Sequence, residues 1–228
     1  MMTVKNYTDC YKGGTVSINI TELAPKWAFR LLIIGPSGSG KTNMLVDLLL
    51  NHIYYDNIYI YAKDLEEPLY LFLKEFFEKV KNIKGSELRA EFHDTLELPN
   101  IDTIDKKKQS LIIFDDFITE KDQSLIKDLF VRGRKKNIST IYLSQSYFDI
   151  PRIIRLNSQY FALFDISDKK ELRSIADSHS TRVSFNEFQD LYREIMDEPF
   201  SFMVIDKVSP HLPLHLRKKW DGLLNKVL

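Results

Sequence analysis

Eight consecutive residues, Gly35-Pro36-Ser37-Gly38-Ser39-Gly40-Lys41-Thr42, constrain this chain more than any other feature. They follow the apolar run Leu31 to Ile34 and precede Met44, Leu45, Leu48 and Leu49, which recur at helical spacing. The pattern G-x-x-x-x-G-K-[ST] between a strand and a helix makes a phosphate-binding loop. Three of the eight glycines sit here. Glycine lets the backbone turn tightly and face phosphate oxygens with its N–H groups, and the helix N-terminus adds partial positive charge. Lys41 is then placed to reach the β- and γ-phosphates of a nucleoside triphosphate, and Thr42 to offer its hydroxyl to Mg²⁺. A nucleoside triphosphate with Mg²⁺ is the expected ligand.

Six apolar runs set the frame around that loop: Leu31 to Ile34, Ile58 to Tyr61, Leu111 to Phe114, Thr140 to Leu143, Tyr160 to Phe164 and Phe202 to Ile205. Most are apolar throughout, as in strands covered on both faces of a parallel sheet. Helical stripes alternate with them; Leu125, Ile126, Leu129 and Phe130 form one after the third run. The expected fold is therefore α/β, with a mostly parallel central sheet flanked by helices and decorated by helix pairs. Ligands of such sheets bind beyond the carboxyl ends of the strands. The runs end in the Gly-rich loop, Asp115-Asp116, Ser144-Gln145, Asp165 and Asp206, which together suggest one site.

Leu111-Ile112-Ile113-Phe114-Asp115-Asp116 brings two carboxylates to a strand end, 74 positions after Lys41. Asp115 is the expected Mg²⁺ partner, directly or through water, and Asp116 the base that polarises a water against the γ-phosphate. Two adjacent carboxylates repel, so without a cation one would tend to hold a proton. A pair of helix N-caps is the structural alternative for the two. Gln145 can hydrogen-bond the γ-phosphate or the attacking water, with capping as its alternative. Arg132-Gly133-Arg134-Lys135-Lys136 ends the preceding helix, where cations are favoured by the helix dipole alone; the functional alternative is an arginine presented to the nucleotide of a neighbouring subunit.

Charge and cysteine content narrow the setting. Lys plus Arg balance Asp plus Glu at 32 each, yet Lys63 to Asp105 carries 6 basic against 11 acidic residues and Lys121 to Ser158 carries 8 against 3. The second stretch is compatible with a face that meets polyanions. The single Cys, Cys10, excludes an internal disulfide framework. No apolar stretch of signal-peptide length opens the chain, and no run reaches the roughly 18 apolar residues of a membrane span. An intracellular protein, neither secreted nor membrane-bound, is expected. Organisation reads as an N-terminal arm over 1–25, one ATPase domain over 26–210 and a tail over 211–228.

With these motifs placed, the chain resembles genome-packaging ATPases of the FtsK/HerA superfamily, in the poxvirus-type viral branch that virophages and Maverick/Polinton elements share. The residues that carry the resemblance are GPSGSGKT at 35–42, LIIFDD at 111–116, FVRGRKKNISTIYLSQS from Phe130 to Ser146, IIRLNSQYFALF from Ile153 to Phe164 and EPFSFMVID from Glu198 to Asp206. The resemblance implies a RecA-like fold, a closed homo-oligomeric ring of roughly five or six subunits, and ATP hydrolysis that drives double-stranded DNA into a capsid, with a capsid or portal component as partner. It makes ATP the nucleotide, and it implies a host cell, viral factory or virion as location. It gives Lys41 and Thr42 the phosphate and Mg²⁺ roles, Asp115 the metal role, Gln145 the γ-phosphate sensor role, and Arg134, with Arg132 as fallback, the role of trans-acting arginine. The wider superfamily usually places Glu where this chain has Asp116, and Glu120 is the substitute base. A DNA translocase or helicase outside a capsid, a small nucleoside kinase and a nucleotide-gated scaffold are the other functions compatible with such a loop.

Overall fold

Each apolar run is a strand because both of its faces are covered. In β1 (Arg30–Ile34), Leu31 and Ile33 point into one hydrophobic layer and Leu32 and Ile34 into the other, all fully buried. The computed structural model describes residues 23–83, 85–117, 120, 122–180, 182–209, 215–220 and 222–223. Residues 1–22 of the expected arm, with Cys10, residue 210, and residues 211–214, 221 and 224–228 of the expected tail lie outside the described residues.

The strands that follow are β2 (Asn57–Ala62), β3 (Arg89–His93), β4 (Ser110–Asp115), β5 (Ile138–Ser144), β6 (Tyr160–Leu163), β7 (Met203–Asp206), β8 (Leu216–Lys218) and β9 (Gly222–Leu223). Among the described residues they form one sheet in the order β3-β2-β4-β5-β1-β6-β7-β8-β9. From β3 to β6 every pairing is parallel, and β7, β8 and β9 join antiparallel. The α/β expectation with a mostly parallel sheet holds. The helices divide between the faces. Helix α1 (Lys41–Asn51) and α2 (Pro68–Lys81) pack Leu45, Leu48, Tyr70 and Leu73 on the Leu31 side. Helices α3 (Ser124–Arg132), α4 (Arg152–Asn157), α5 (Lys169–His179) and α6 (Phe185–Met196) cover the other side through residues such as Ile126, Ile154, Ile175 and Ile195. The pair α5 and α6 is inserted between β6 and β7, and α6 opens with a reciprocal capping box between Ser184 and Glu187.

Four expectations change. Leu125 stands at the rim of its helical stripe and is 53% exposed, while Ile126, Leu129 and Phe130 are buried. Asp206 does not belong with the strand-end acids of the site, because β7 runs antiparallel and pairs Asp206 with Tyr160 at the amino end of β6; there its carboxylate meets the buried Arg217 guanidinium at 3.2 Å. Within the expected tail from 211, residues 216–218 join the sheet, where β8 pairs along β7, and Trp220 is buried among Phe202 and the α1 layer. An unpaired β7 would expose a ladder of backbone donors and acceptors, which β8 satisfies. The edge strand β3 has no apolar run, because only Ala90 and Phe92 face the core.

Candidate active site

The phosphate loop leaves the sheet between two parallel strands. Gly35 N–H donates to the Ser144 carbonyl of β5 (3.2 Å), and Phe164 N–H, just past β6, donates to the Ile34 carbonyl (2.8 Å). That seat leaves no room for a side chain, since a Cβ on Gly35 would lie 2.5 Å from Phe164 Cβ. Gly38 (φ +73°) and Gly40 (φ +100°) adopt left-handed backbone that disfavours other residues. Gly40 is also the N-cap of α1 and brings no capping side chain, so the first-turn N–H groups of the helix have no such acceptor. Met44 N–H closes the first helical bond onto the Gly40 carbonyl at 2.9 Å. Lys41 folds back over the loop, its Nζ donating to the carbonyls of Gly35 (2.7 Å) and Pro36 (2.9 Å).

Opposite the loop stand the ends of β4 and β5. Lys41, Thr42, Asp115, Asp116 and Gln145 line one open cleft of about 350 Å³, together with Ser37, Gly38, Gly40, Asn43, Ser144, Glu67, Leu69 and Phe200. Gly35, Pro36 and Ser39 form the base of the same loop. Asp115 is the last residue of β4. Asp116 follows with φ +59°, a conformation that costs a non-glycine residue about 1 kcal/mol and that functional sites tend to retain. The Tyr70 hydroxyl, carried by α2, donates to Asp115 Oδ2.

Burial dominates the electrostatics. It pushes the Asp115 carboxyl up; the Tyr70 hydrogen bond and the Lys41 ammonium oppose it, and Asp116 adds the smallest push upward. Repulsion between the two aspartates, the cause expected from sequence, is thus secondary to desolvation. Burial likewise lowers Lys41, against the pull of Asp115, Asp116 and Glu67. Glu67 is raised first by burial, then by Asp115 and Asp64.

Ser39 Oγ and Asn43 Oδ1 are buried without a hydrogen-bond partner, the α1 N-terminus has no side-chain cap, and a lysine rests on loop carbonyls. These features match an anion seated in the loop. One hydroxyl and one carboxylate, Thr42 and Asp115, are a donor set suited to Mg²⁺, which takes few protein ligands beside phosphate and water. Nucleotide and Mg²⁺ therefore fit the residues present.

The arginines lie elsewhere. Arg134 sits in a 3-10 turn, Gly133–Lys136, that precedes β5 and so lies at the sheet end opposite the cleft. There it approaches Arg30, whose guanidinium is pushed down by burial and then by Arg134. Arg132 is engaged by Asp128 at 2.8 Å and Asp102 at 3.7 Å. Glu120, the substitute base, is ion-paired with Lys63 and does not line the cleft.

Sequence reasoning missed Glu67, Tyr70 and Phe200. The first two open α2, whose start is marked by Pro68 at its first position. Phe200 falls within the stretch Glu198 to Asp206 that carries part of the resemblance, but its exposure is a property of the folded loop.

Relatives agree with this architecture. The family described as Poxvirus A32 protein matches residues 18–198. The DNA packaging protein OPG160 of Monkeypox virus is 28% identical over 174 residues, covering 73% of this chain and 57% of its own length. OPG160 of Vaccinia virus (strain Copenhagen) is 29% identical over 149 residues, or 62% of this chain and 55% of the relative. The chain thus spans a little over half the length of these curated relatives. Among solved structures, the genome packaging NTPase B204 from Sulfolobus turreted icosahedral virus 2, in complex with AMP, overlays with a TM-score of 0.57 at 15% identity, across 86% of this chain and 98% of that one. B204, the DNA-packaging ATPase from Sulfolobus Turreted Icosahedral Virus, gives 0.55 at 16% identity with the same coverage. At such identity the overlay speaks for the fold. With the family match running across most of the sheet and the whole phosphate loop, the chain belongs to the poxvirus A32 protein family.

Proposed function

We propose that this chain is a Mg²⁺-dependent ATPase that moves double-stranded DNA into a viral capsid as a homo-oligomeric ring. The observation that carries the proposal is the convergence of the phosphate loop, Asp115, Asp116 and Gln145 on one cleft, in a chain whose relatives are named DNA packaging proteins. Backbone N–H groups of residues 38–42 and the Lys41 ammonium hold the phosphates. The Thr42 hydroxyl and Asp115 carboxylate hold Mg²⁺, which when bound neutralises charge on the β- and γ-phosphates. Asp116 accepts the proton of the attacking water, and the Gln145 amide orients that water or senses the γ-phosphate. Arg134, remote from its own cleft, serves a neighbour's nucleotide across a ring contact in this proposal. The locally basic stretch from Lys121 to Ser158 suits a phosphate backbone. The domain is 26–210 extended by the strands over 216–218 and 222–223, and a capsid or portal component and an intracellular or virion setting complete the proposal.

The test is steady-state phosphate release from ATP, with and without duplex DNA, across protein and salt concentration. Turnover that rises cooperatively with protein and is stimulated by DNA in a salt-sensitive manner is expected. Turnover indifferent to DNA and to protein concentration, or a phosphorylated nucleoside as product, overturns the proposal.

A further inference from the structure

An exposed aromatic ring overhangs the phosphate loop, held there against its own backbone preference. Phe200 follows α6 and precedes β7, is 70% exposed, and has φ +54°. For a bulky side chain that conformation is a genuine outlier, maintained only where the surroundings over-determine it. They do so here. Ser201 N–H donates to the Glu198 carbonyl at 3.2 Å. The Glu198 carboxylate is gripped by Lys218 at 2.6 Å and by Lys219, and Lys219 N–H donates to the Phe202 carbonyl at 3.0 Å. Ser201 and Phe202 are buried while Phe200, inside the turn, is not. The turn is thus fastened from β8, and the ring is left outside the core.

Its position gives that exposure a use. The atom nearest to a Cβ built on Gly40 is Phe200 Cδ1, at 3.5 Å, so the ring stands over the N-cap of α1. The same ring lines the cleft with Lys41, Thr42 and Asp115; the other large apolar side chain in the lining, Leu69, is 8% exposed. A nucleoside whose phosphates are fixed on residues 38–42 has to leave the loop past this N-terminus. An aromatic face in water beside that exit offers area for stacking to a planar base.

We propose that Phe200 forms a nucleobase subsite, its ring stacking on the base of a nucleoside triphosphate whose phosphates occupy the Gly35–Thr42 loop. Purines, with the larger π face, are the favoured class. The proposal rests on the nucleotide-binding role of the cleft and adds the part of the ligand that the phosphate loop cannot recognise. Because the ring is exposed, truncating it empties no core volume.

The test compares equilibrium binding of ATP and of inorganic tripolyphosphate, both with Mg²⁺, to the full chain carrying Phe200→Ala, Phe200→Tyr or Phe200→Trp. Loss of one stacked base predicts ATP affinity weaker by roughly 5- to 150-fold in Phe200→Ala, with tripolyphosphate affinity unchanged and ATP affinity retained in Phe200→Tyr. In Phe200→Trp, ATP but not tripolyphosphate should change the indole fluorescence above the background of Trp27 and Trp220. Equal ATP affinity in Phe200→Ala and wild type, or an indole signal indifferent to ATP, overturns the subsite. A loss of ATP affinity confined to protein concentrations at which chains associate would assign the ring to a second copy and also overturn it. Failure of the wild type to bind either ATP or tripolyphosphate would instead remove the nucleotide-binding role of the cleft itself.

Discussion

The Tyr70 hydroxyl donates a hydrogen bond to Asp115 Oδ2, joining the first turn of α2 to the last residue of β4. This contact fixes one carboxylate oxygen and leaves the other for a ligand in the cleft. Supporting hydrogen bonds of this kind orient metal-binding carboxylates, and their loss typically weakens metal affinity by about 10- to 100-fold. Tyr70→Phe is therefore expected to reduce Mn²⁺ affinity in the presence of an ATP analogue by about that factor, read by electron paramagnetic resonance, with analogue binding in EDTA unchanged. Metal affinity equal to wild type would show that Tyr70 only packs.

Substitution of Asp116, the proposed base, should separate binding from turnover. Asn tolerates the left-handed backbone at φ +59° nearly as well as Asp, so Asp116→Asn should keep stability within about 0.5 kcal/mol and retain ATP affinity. Phosphate release should fall by about 100-fold or more, the usual contribution of a general base. Lys41→Ala, in contrast, should abolish binding. Normal turnover in Asp116→Asn would move the base elsewhere.

Gly35 is the steric test of the loop's seat. A methyl group there meets Phe164 Cβ at 2.5 Å and cannot be absorbed by a flexible side-chain end. Gly35→Ala should destabilise by about 1–3 kcal/mol and weaken ATP binding, whereas Gly38→Ala, which meets nothing within 4 Å, should carry only the backbone strain of φ +73°. Urea unfolding with and without ATP measures both.

Arg134 tests the ring. Since it lies at the sheet end away from its own cleft, Arg134→Ala alone and Asp116→Asn alone should each lose turnover, and mixing the two should restore part of it in shared assemblies. No recovery at any mixing ratio would count against a role in trans.

His179 should make the fold acid-sensitive. Its ring stacks on Phe161 at 4.1 Å and shares a 2.8 Å hydrogen bond with the Tyr147 hydroxyl. Burial first, and then Lys207 and Arg155, bring its pKa down to about 3. An unfolded histidine takes its proton near 6.5, so the unfolded state binds more protons between the two values. The neutral ring's contribution is complete above pH 6.5 and is lost as pH falls toward 3. Between pH 7 and 5 the wild type should lose about 2 kcal/mol more unfolding free energy than His179→Gln, measured by urea titration.

Much of this site was legible because its chemistry is local. Gly35 to Thr42 are contiguous, and Asp115, Asp116 and Gln145 each end a run of buried residues that announces a strand. What escaped depends on neighbours far away in sequence. Tyr70 reads as an ordinary core aromatic until α2 is laid against β4, and Glu120, the substitute for Asp116, is ion-paired with Lys63 outside the cleft. Asp206 looked like a strand-end acid because direction does not show in an apolar run.

The sequence alone determined the phosphate loop, the six strands written as apolar runs and the α/β class, since each is written in residues within one or two turns or strand lengths of one another. Tertiary structure decided the rest. It turned β7 antiparallel and carried Asp206 away from the cleft, added β8 across an edge whose backbone groups would otherwise be unpaired, and put Arg134 at the opposite end of the sheet. It also fastened the turn that leaves Phe200 exposed over Gly40, through Glu198 and the lysines of β8 and its end. These features depend on which strand lies beside which, and strand order is set by the summed burial of both sheet faces rather than by any single segment.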